Sequence, residues 1–409
     1  MAKKKAKKNS NKINNKSNNK IGLLIGAIFI VLSFVLLYFI YKINVLPDKY
    51  LYTAIGLVAI LDFVILLILK VTKNIFFKII CLLGCVGMGY GIYSLNNTQD
   101  VLDTMNVDYK TSNYVIVVNK DSSYKKVNDL KGKKIGYLKD DVDSLDKFKI
   151  DFTKKEYTDL GIAINDLLDK KIDGVLLEQS FIDILSDDES PIKDFKEKVR
   201  MIDAFSVDEK VEDVTTDTDT TKNGFAVYVS GIDTYGSIAS VSRTDANMVV
   251  FVNPNSKQIL MLSIPRDYYV QLHGTTGLKD KLTHAGIQGG VNLSIATIED
   301  LLGIEIDYYL RVNFNAVINL VDAIGGITLY SDVDYSFTCW TDSGCVFYPG
   351  DNTVGGRCAL AFARERYAYE SGDRHRGENQ EQVIIKVLEK ITEPRYLIKY
   401  NQLLDITKD

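Results

Sequence analysis

The sequence predicts an α/β protein with three N-terminal transmembrane helices, a small accessory α/β domain and a larger α/β/α sandwich with a mixed sheet. Three apolar runs, each close to the ~20 residues that a helix needs to cross a bilayer, follow one another within residues 21–95. Apolar runs of strand length then alternate with helical patterns in two separate regions, which is typical of α/β domains. An acidic, Thr-rich segment without apolar periodicity lies between these regions and indicates an exposed linker.

Composition and charge exclude several classes of protein. The chain has 409 residues, of which 25% are charged, with 28 Gly and 6 Pro, which excludes collagen, low-complexity disorder and a small disulfide scaffold. The net charge of −4 hides an uneven distribution, because residues 1–95 contain 13 Lys and 2 acidic residues whereas the rest of the chain is acidic. An extended basic surface for nucleic acid is therefore not expected, and no nucleic-acid partner is predicted.

The basic N-terminal segment and the apolar runs predict a multi-pass protein of the cell membrane. Residues 1–20 are too polar to fold alone, which predicts a solvated cytoplasmic tail. The predicted spans are Ile21–Tyr41, Leu51–Leu69 and Ile75–Leu95. Lysines concentrate in the tail and in the second short loop, so the positive-inside rule predicts a cytoplasmic N-terminus and extracellular residues 96–409. Asp62 in the second span is either a functional intramembrane acid or a contact to a neighbouring helix.

The pattern of residues 96–206 predicts the accessory α/β domain. The expected strands are Tyr114–Val118, Lys134–Tyr137 and Gly174–Leu177, and residues Tyr157–Lys170 have apolar positions at helical spacing. The phrases DLKGKKIGYL and DLLDKKIDGVLLE resemble periplasmic solute-binding domains, and this resemblance implies a binding lobe. The alternative is a spacer that binds no ligand.

Residues 207–223 form the predicted linker, and residues 224–409 form the larger domain. The apolar runs Phe225–Gly231, Met248–Val252 and Ile259–Ile264 predict strands that are buried on both faces. Helical spacing is found over Leu293–Leu302, Ala316–Ala323 and Glu378–Ile391, and Leu360–Glu365 begins either a strand or a helix. The alternation of these patterns predicts a sheet that is covered by helices.

The cysteines outside the membrane allow more than one disulfide. Cys339 and Cys345 are six residues apart in the loop FTCWTDSGCVFYPG, and a disulfide between them is plausible in an oxidising compartment. Cys358 would then be unpaired, although the sequence does not settle the pairing. A zinc site is not expected, because the three histidines have no ligand spacing with the cysteines.

Arginines are concentrated in the larger domain. Eight of the ten arginines lie between Arg243 and Arg376, and several are next to acidic residues, as in SRTD, PRD, RER and GDRHR. Because arginine makes bidentate contacts with phosphate and the rest of the surface uses lysine, this pattern predicts a phosphorylated ligand. The alternative is a set of ion pairs with the neighbouring acids.

Two acids and one helix extend this prediction to a single site. Asp233 ends a buried strand and Asp245 follows twelve residues later, so that both could hold Mg²⁺ or Mn²⁺ next to a phosphate. Pairing of each Asp with a neighbouring Arg is an equally good explanation. On a helix, Asp373, Arg376 and Gln380 share one face, and the N-terminus of a helix favours anions.

Several motifs of the larger domain resemble the LytR-CpsA-Psr family. They are SGIDTYGSIASVSRTDANMVVFVNP, ILMLSIPRDYYV, DKLTHAG and ARERYAYESGDRHRGENQ, which occur in the family's order over residues Phe225–Ile391. The spans and the accessory domain resemble its capsule-associated branch. The resemblance implies a hydrophobic polyprenyl pocket and an enzyme that transfers a glycan, capsular polysaccharide in that branch, from an undecaprenyl-diphosphate carrier to peptidoglycan. A pyrophosphatase side activity is also implied.

The resemblance also implies roles for individual residues. Asp233 and Asp245 would hold the metal, and Arg266 with Asp245 or Asp267 would be catalytic, one acid accepting the proton of the acceptor hydroxyl. The residues that would clamp the diphosphate or orient the clamp are Arg243, Arg266, Arg364, Arg366, Asp373, Arg376 and Gln380. Arg374 stands where the family tolerates other residues, and Lys281 and His284 are expected to be structural. Sequences of the family continue further beyond the last helix, so a C-terminally truncated chain is expected.

Two functions of other classes remain open at this point. The first is a transcriptional attenuator, which fits poorly because no DNA-reading helix is visible and the large domains lie across the membrane from DNA. The second is a membrane-bound sensor of a lipid or solute that performs no chemistry.

Overall fold

The computed structural model describes residues 2–43, 48–71, 75–105, 109–186, 192, 194–210, 216, 218–220, 222–235, 237–275 and 279–397. Helices α1 (Ala2–Ile43), α2 (Asp48–Val71) and α3 (Ile75–Met105) begin the chain. Each contains a segment that is long and apolar enough to cross a membrane, which confirms the three predicted helices. Helix α1 begins at Ala2, so residues 2–20, which the sequence marks as too polar to fold alone, continue this helix. No Gly or Pro interrupts residues 2–20 to end the helix there.

The three helices pack against one another through their apolar faces and one polar contact. The Ser33 hydroxyl of α1 donates a hydrogen bond to Asp62 Oδ2 of α2 at 2.8 Å. Asp62 therefore contacts a neighbouring helix, which was one of its two expected roles. Helix α3 extends to Met105, so residues 96–105 continue the helix instead of beginning the accessory domain.

The accessory domain is a five-stranded mixed sheet with helices and turns on both faces. Its elements are β1 (Tyr109–Asn119), β2 (Lys134–Leu138), α4 (Val142–Asp146), β3 (Thr153–Tyr157), α5 (Leu160–Leu168), β4 (Gly174–Glu178), α6 (Ser180–Leu185), α7 (Phe195–Lys198) and β5 (Val199–Lys210). The strand order is β3-β2-β4-β1-β5, in which β2 is parallel to β3 and β4, and β1 is antiparallel to β4 and β5. Strand β5 continues to Lys210 and so occupies the first residues of the predicted linker.

The larger domain contains a four-stranded sheet and several short two-stranded ones. Its elements are β6 (Phe225–Ile232), β7 (Thr244–Asn253), β8 (Gln258–Ile264), β9 (Tyr269–Val270), β10 (Asp280–Lys281), α8 (Leu282–Leu302), β11 (Tyr308–Val312), α9 (Phe314–Ala323), β12 (Ile327–Ser331), β13 (Phe337–Thr338), β14 (Val346–Phe347), β15 (Gly350–Val354), α10 (Gly356–Arg364), α11 (Asp373–Ile391) and α12 (Pro394–Leu397). The main sheet has the order β11-β6-β7-β8, with β11 parallel to β6 and the other pairs antiparallel. The predicted mixed sheet and α/β/α class are confirmed.

Two hydrophobic cores lie on opposite sides of this sheet. On one side, Tyr228 and Val249 pack against Ile295 and Ile298 of α8. On the other side, α9, α10, α11 and the short strands around them form a separate core that includes Phe347 and Phe362. The prediction that every strand is buried on both faces is wrong for β8. Ile259 and Leu260 are 62% and 63% exposed because β8 is an edge strand.

A disulfide fastens the second core, but not the one that the sequence suggested. Cys345 is bonded to Cys358 of α10, and Cys339 is free and buried. Spacing favoured the nearer pair, whereas the fold brings the start of α10 next to β14. The bond therefore ties the loop before β14 to the helix that ends at Arg364.

Backbone hydrogen bonds and an ion pair help to connect the larger domain with the rest of the chain. The Thr111 N–H of β1 donates to the Ala239 carbonyl at 2.9 Å, and the Val241 N–H donates to the Thr111 carbonyl at 3.1 Å. These bonds attach the start of the accessory domain to the loop between β6 and β7. The Lys222 ammonium lies 2.8 Å from Asp48 Oδ2 at the beginning of α2, which connects the larger domain with the helical anchor.

Candidate functional site

A cleft of about 980 Å³, counted with its open mouth, lies between the main sheet and the layer of α9, α10 and α11. Most of its walls are apolar. The apolar lining residues are Val229, Ile232, Ala246, Met248, Val312, Phe314, Val317, Leu360, Ala363, Val383 and Ile384. The first core packs the sheet tightly against α8, whereas this second interface leaves room for a ligand. A cleft of this size with apolar walls is typical of a binding site.

The charged groups collect where several strands end at one edge of the sheet. Asp233 follows β6, Asp245 lies at the start of β7, and Arg266 follows β8. The antiparallel pairing of β6 with β7 and of β7 with β8 brings these three ends together. Seven residues expected from the sequence line the cleft: Asp233, Asp245, Arg266, Arg364, Arg366, Arg376 and Gln380.

Asp245 and Arg266 form a short ion pair in the lining of the cleft. Arg266 Nη1 donates to Asp245 Oδ1 at 2.8 Å, and both side chains are only 16–17% exposed. Burial is the largest single influence and would lower the pKa of Arg266, but the charge and hydrogen bond of Asp245, together with the charges of Asp267 and Asp373, outweigh it and the pKa is raised. The guanidinium therefore stays positively charged, and its Nε is buried without a hydrogen-bond acceptor among the described residues.

Asp233 lies between positive and negative neighbours. Arg364 Nη2 is 3.5 Å from Asp233 Oδ1, and the Arg364 guanidinium stacks on the Phe314 ring at 4.3 Å. Burial raises the pKa of Asp233, and the negative charge of Asp245 adds to this effect, while the arginines oppose it. The two carboxylates are thus close enough to repel each other.

Helix α11 presents its first turns to the same edge of the sheet. Arg376 is buried; its Nη2 lies 2.7 Å from Asp373 Oδ1 in an ion pair and donates a hydrogen bond to the Asp245 carbonyl at 3.2 Å. Gln380, one turn later, donates to the Ala363 carbonyl at 3.3 Å and so joins α11 to α10. Gly377 allows this approach, because a Cβ atom there would lie 2.4 Å from the Ser263 hydroxyl of β8.

Glu365 holds the turn that carries Arg364 and Arg366. It is 1% exposed, and its Oε1 accepts the backbone N–H groups of Arg366, Tyr367 and Ala368 at 2.8–3.1 Å. Its Oε2 accepts the Trp340 N–H at 2.9 Å. One buried carboxylate therefore fixes the backbone between the two arginines and attaches the loop of Trp340 to it.

Arg366 differs from the other arginines of the cleft. Its Nη2 donates to the Tyr367 hydroxyl at 2.8 Å, and its guanidinium lies over the Tyr367 ring at 4.8 Å. Its Nε is buried and has no acceptor, and no carboxylate lies within ion-pair distance of it among the described residues. A buried Nε without an acceptor, on a guanidinium that has no carboxylate partner among the described residues, favours an anionic ligand at this position.

Three expected residues lie outside the lining of the cleft in the described part of the chain. The backbone carbonyl of Arg243 accepts the Asp233 N–H at 3.3 Å. The guanidinium of Arg243 does not border the cavity, but its charge opposes the rise in the pKa of Asp233. Asp267 is 44% exposed and lies 3.6 Å from Arg266 Nε. Asp373 is a partner of Arg376, as described above. These residues surround the site but do not face its interior.

Other residues of the motifs have structural positions. The His284 ring contacts Asp280 at 2.7 Å at the start of α8, and Lys281 forms part of β10. Arg374 is 82% exposed and pairs with Glu378, so its position differs from that of Arg376 two residues later. Arg311 faces the α8 side of the sheet, where burial lowers its pKa and its Nη2 donates to the Ser240 carbonyl.

The two carboxylates fit a divalent cation. No cluster of three or more His, Cys, Asp or Glu that could hold a metal ion occurs among the described residues. However, Asp233 and Asp245 line the same cleft, and Asp245 raises the pKa of Asp233, so a cation between them would relieve their repulsion. Mg²⁺ commonly takes one or two carboxylates and completes its shell with water and phosphate oxygens.

The sequence did not indicate the walls of the cleft, Glu365 or Trp340. The only available signal for the walls was the alternation of β6, in which every second residue is buried. Glu365 looked like one of many acids beside arginines. Trp340 is the single Trp of the chain and borders the cleft, but its place in a cysteine loop concealed this position.

Comparison with known proteins assigns the larger domain to one group. The LytR_cpsA_psr family model matches residues 192–409, which is more than half of the chain. Biofilm regulatory protein A of Streptococcus mutans is 35% identical over 192 residues, which cover 44% of this chain and 47% of that protein. The polyisoprenyl-teichoic acid–peptidoglycan teichoic acid transferase TagU of Enterococcus faecalis is 35% identical over 190 residues, 46% of this chain and 60% of the relative. The chain thus spans about half the length of these relatives.

Solved structures also match this region. B. subtilis TagV is 31% identical, with a TM-score of 0.41 over 46% of this chain and 72% of that chain. The LytR-CPS2A-psr family protein YwtF (TagT) with bound octaprenyl pyrophosphate lipid is 30% identical, with a TM-score of 0.37 over 46% of this chain and 76% of that chain.

Proposed function

The chain belongs to the LytR_cpsA_psr family, and on that premise we propose that it is a membrane-anchored phosphotransferase. It transfers a glycan, capsular polysaccharide in our proposal, from an undecaprenyl-diphosphate carrier to peptidoglycan. The observation that carries this proposal is the presence of four guanidinium groups and two carboxylates at the charged end of a cleft with apolar walls. A diphosphate headgroup matches the excess of positive charge, and a prenyl chain matches the walls.

The relatives support the general reaction. The protein of Enterococcus faecalis named above is by its name a transferase of teichoic acid from a polyisoprenyl carrier to peptidoglycan. Burial of a prenyl chain contributes ~0.8 kcal/mol per CH₂ group, so the walls would supply much of the affinity. The arginines would then determine where the diphosphate lies, and this division of roles leads to a test below.

The side chains of the site suggest the chemical step. A hydroxyl of the acceptor glycan attacks the phosphorus that bears the donor glycan, and a new P–O bond forms as the phosphoanhydride bond breaks. Undecaprenyl phosphate leaves with the bridging oxygen. Arg266, Arg364 and Arg366 stabilise the negative charge that grows on that oxygen. Asp245 accepts the proton of the hydroxyl, since it faces the cleft whereas Asp267 does not.

We propose that Asp233 and Asp245 hold Mg²⁺ or Mn²⁺. When bound, such an ion would neutralise phosphate charge as a Lewis acid. Asp245 keeps Arg266 in place through its Oδ1, which leaves Oδ2 for another partner. Arg376 fixes the backbone of Asp245 through its carbonyl and so helps to orient this carboxylate.

The anchor and the soluble domains support a single orientation in the cell membrane. Lys222 pairs with Asp48 at the beginning of α2, and β1 starts four residues after the end of α3. Both soluble domains therefore lie at the end of the anchor where α2 begins and α3 ends. With the positive-inside rule, this end is extracellular and the N-terminus is cytoplasmic. The cleft would then lie on the side of the membrane where peptidoglycan is assembled.

Two neighbouring arginines of α11 provide a matched test of the proposal. Full-length protein in nanodiscs receives a polyprenyl-diphosphate-linked glycan, soluble peptidoglycan strands and Mg²⁺, and transfer of the glycan is measured. We expect Arg376→Ala, which changes a residue 8% exposed, to abolish transfer, and Arg374→Ala, which changes one 82% exposed, to retain it. Equal activity of the two variants would contradict the proposed site.

A second comparison separates headgroup positioning from tail binding. Arg266→Ala should lower turnover about 100-fold or more while it lowers retention of the lipid only severalfold, because the walls still bind the prenyl chain. Equal losses of turnover and retention would contradict this division. Tight lipid binding by the unmodified protein without any turnover would instead support a sensor.

A further inference from the structure

A patch of exposed aromatic side chains borders the charged end of the cleft. Trp340 is 50% exposed and Tyr367 is 66% exposed. Their ring centroids are 5.3 Å apart, and the ring planes are nearly perpendicular at 89°. Large exposed aromatic rings are costly for a soluble surface unless they bind something. Neither ring belongs to a hydrophobic core, so their packing does not explain them.

The Trp340 side chain is held in one orientation although half of it is exposed. Its indole Nε1 donates to the Arg364 carbonyl at 3.1 Å, and its backbone N–H donates to Glu365 Oε2 at 2.9 Å. The Cys345–Cys358 disulfide ties the same loop to α10. The polar atom of the indole is therefore already satisfied by the protein, and the exposed part of the ring is an apolar face.

Arg366 connects this patch with the proposed diphosphate position. Its guanidinium lies 4.8 Å from the centre of the Tyr367 ring and 5.8 Å from that of Trp340. Both Trp340 and Arg366 line the cleft. A ligand whose phosphate reaches the buried Nε of Arg366 would thus place its next chemical group beside the indole.

We propose that Trp340 and Tyr367 form a platform on which a pyranose ring of the glycan stacks next to the diphosphate. The inference rests on the proposed function, which supplies a diphosphate at Arg366. The face of a pyranose ring is lined by C–H groups, which carry a slight positive charge and pack well against the negative face of an aromatic ring. The sugar is either the first residue of the donor or the end of the acceptor glycan, and the chemistry of recognition is the same.

The single Trp makes the proposal directly measurable. Full-length protein in nanodiscs is titrated with three probes while the emission of Trp340, the only Trp of the chain, is recorded. The probes are a polyprenyl diphosphate without sugar, the same lipid with one N-acetylhexosamine, and a soluble peptidoglycan disaccharide. Comparison of the first two probes separates the effect of the sugar from that of the diphosphate.

We expect the sugar to change the emission of Trp340 beyond the effect of the bare lipid, or the soluble disaccharide to change it alone. Trp340→Ala should weaken binding of the responding probe about fivefold to tenfold and should weaken binding of the sugarless lipid less. Trp340→Phe keeps an aromatic face and should retain most of the affinity. Tyr348→Ala, at a residue 61% exposed in the same loop but outside the lining, is the matched control and should change nothing.

The results distinguish the platform from the proposed function. A response to the lipid-linked sugar identifies the donor as occupant, and a response to the disaccharide identifies the acceptor. If the sugar changes neither emission nor affinity, the platform is refuted even when the sugarless lipid binds. If the sugarless lipid fails to bind, the proposed function fails, and the soluble disaccharide still decides whether the platform exists.

Discussion

Removal of the Glu365 carboxylate should loosen the turn between two arginines of the cleft. Its two oxygens accept four backbone N–H groups at 2.8–3.1 Å, and the side chain is 1% exposed. In Glu365→Ala these donors lose their acceptor in a place that water reaches poorly. In Glu365→Gln the amide oxygen still accepts hydrogen bonds. The amide nitrogen replaces the other oxygen, and because it is a donor it cannot accept the backbone N–H that it faces.

The expected magnitude follows from the number of donors left without an acceptor. A buried donor that loses its partner costs about 1–3 kcal/mol, so the four unsatisfied donors in Glu365→Ala give about 4 kcal/mol at the lower end of this range. For Glu365→Gln, with the single contact to Trp340 lost, we expect about 2 kcal/mol. In a domain of about 150–250 residues, 1 kcal/mol lowers Tm by about 2–4 °C, so the Ala variant should melt about 10 °C lower.

The changes in Tm are measured by calorimetry of the full-length protein in detergent. The effect of each substitution on the site is measured as glycan transfer at a temperature where both variants are folded. We expect both variants to lose transfer activity, because Arg364 and Arg366 lose their fixed positions. Glu365→Gln should retain more activity than Glu365→Ala. Glu370→Gln, an exposed acid of the same segment, is the control. Unchanged Tm in the Ala variant, or full transfer by the folded variant, would refute the role of Glu365 as a positioning residue.

Three further outcomes follow from other parts of the chain. Burial raises the pKa of Glu178 from 4.5 to about 7, so the contribution of this group to the stability of the accessory domain is fully present below pH 4.5 and is lost as pH rises through 7; Glu178→Gln should remove this loss in pH-dependent proteolysis. The Cys345–Cys358 bond closes a loop of 13 residues, so Cys358→Ser should cost about 3 kcal/mol in chemical unfolding, and reductant should not affect the variant further. Gly356→Ala places a Cβ atom 2.1 Å from the Ile318 carbonyl and should lower the Tm of the larger domain by several degrees, and an unchanged Tm would contradict this packing.

The sequence indicated the central strands and the edge strand β8, but it missed the other edge strands. β1, β2, β4, β6 and β7 are apolar runs, and hydrophobic pattern alone located them. β3 and β5 were missed, and they are the two edge strands of the accessory sheet. Edge strands carry charged residues, as in TKKEY of β3, since only one side of each pairs with another strand. Their pattern therefore resembles a loop, which is why part of β5 was assigned to the linker.

Residue type predicted the components of the site, but only the fold shows which of them meet. Arginine is uncommon in this chain and is concentrated beside acidic residues, so its pattern predicted a phosphorylated ligand. Helical spacing put Arg376 on one face with Asp373 and Gln380, and the structure shows that Arg376 is buried whereas Arg374 is exposed. The Cys345–Cys358 pairing and the contacts of Glu365 with Trp340 depend on segments that are far apart in sequence. Local pattern carries no information about such contacts.

The charge balance of the cleft explains why Arg366 is the first contact expected of a diphosphate. Arg266, Arg364 and Arg376 each have a carboxylate within 3.5 Å, so an incoming anion must compete with an existing ion pair at each of them. Arg366 has none among the described residues, and its buried Nε lacks an acceptor, so a phosphate oxygen satisfies it without breaking a pair. Trp340 and Tyr367 lie around this same guanidinium. The position that attracts the headgroup most strongly is therefore also the one that brings the attached sugar to the aromatic rings.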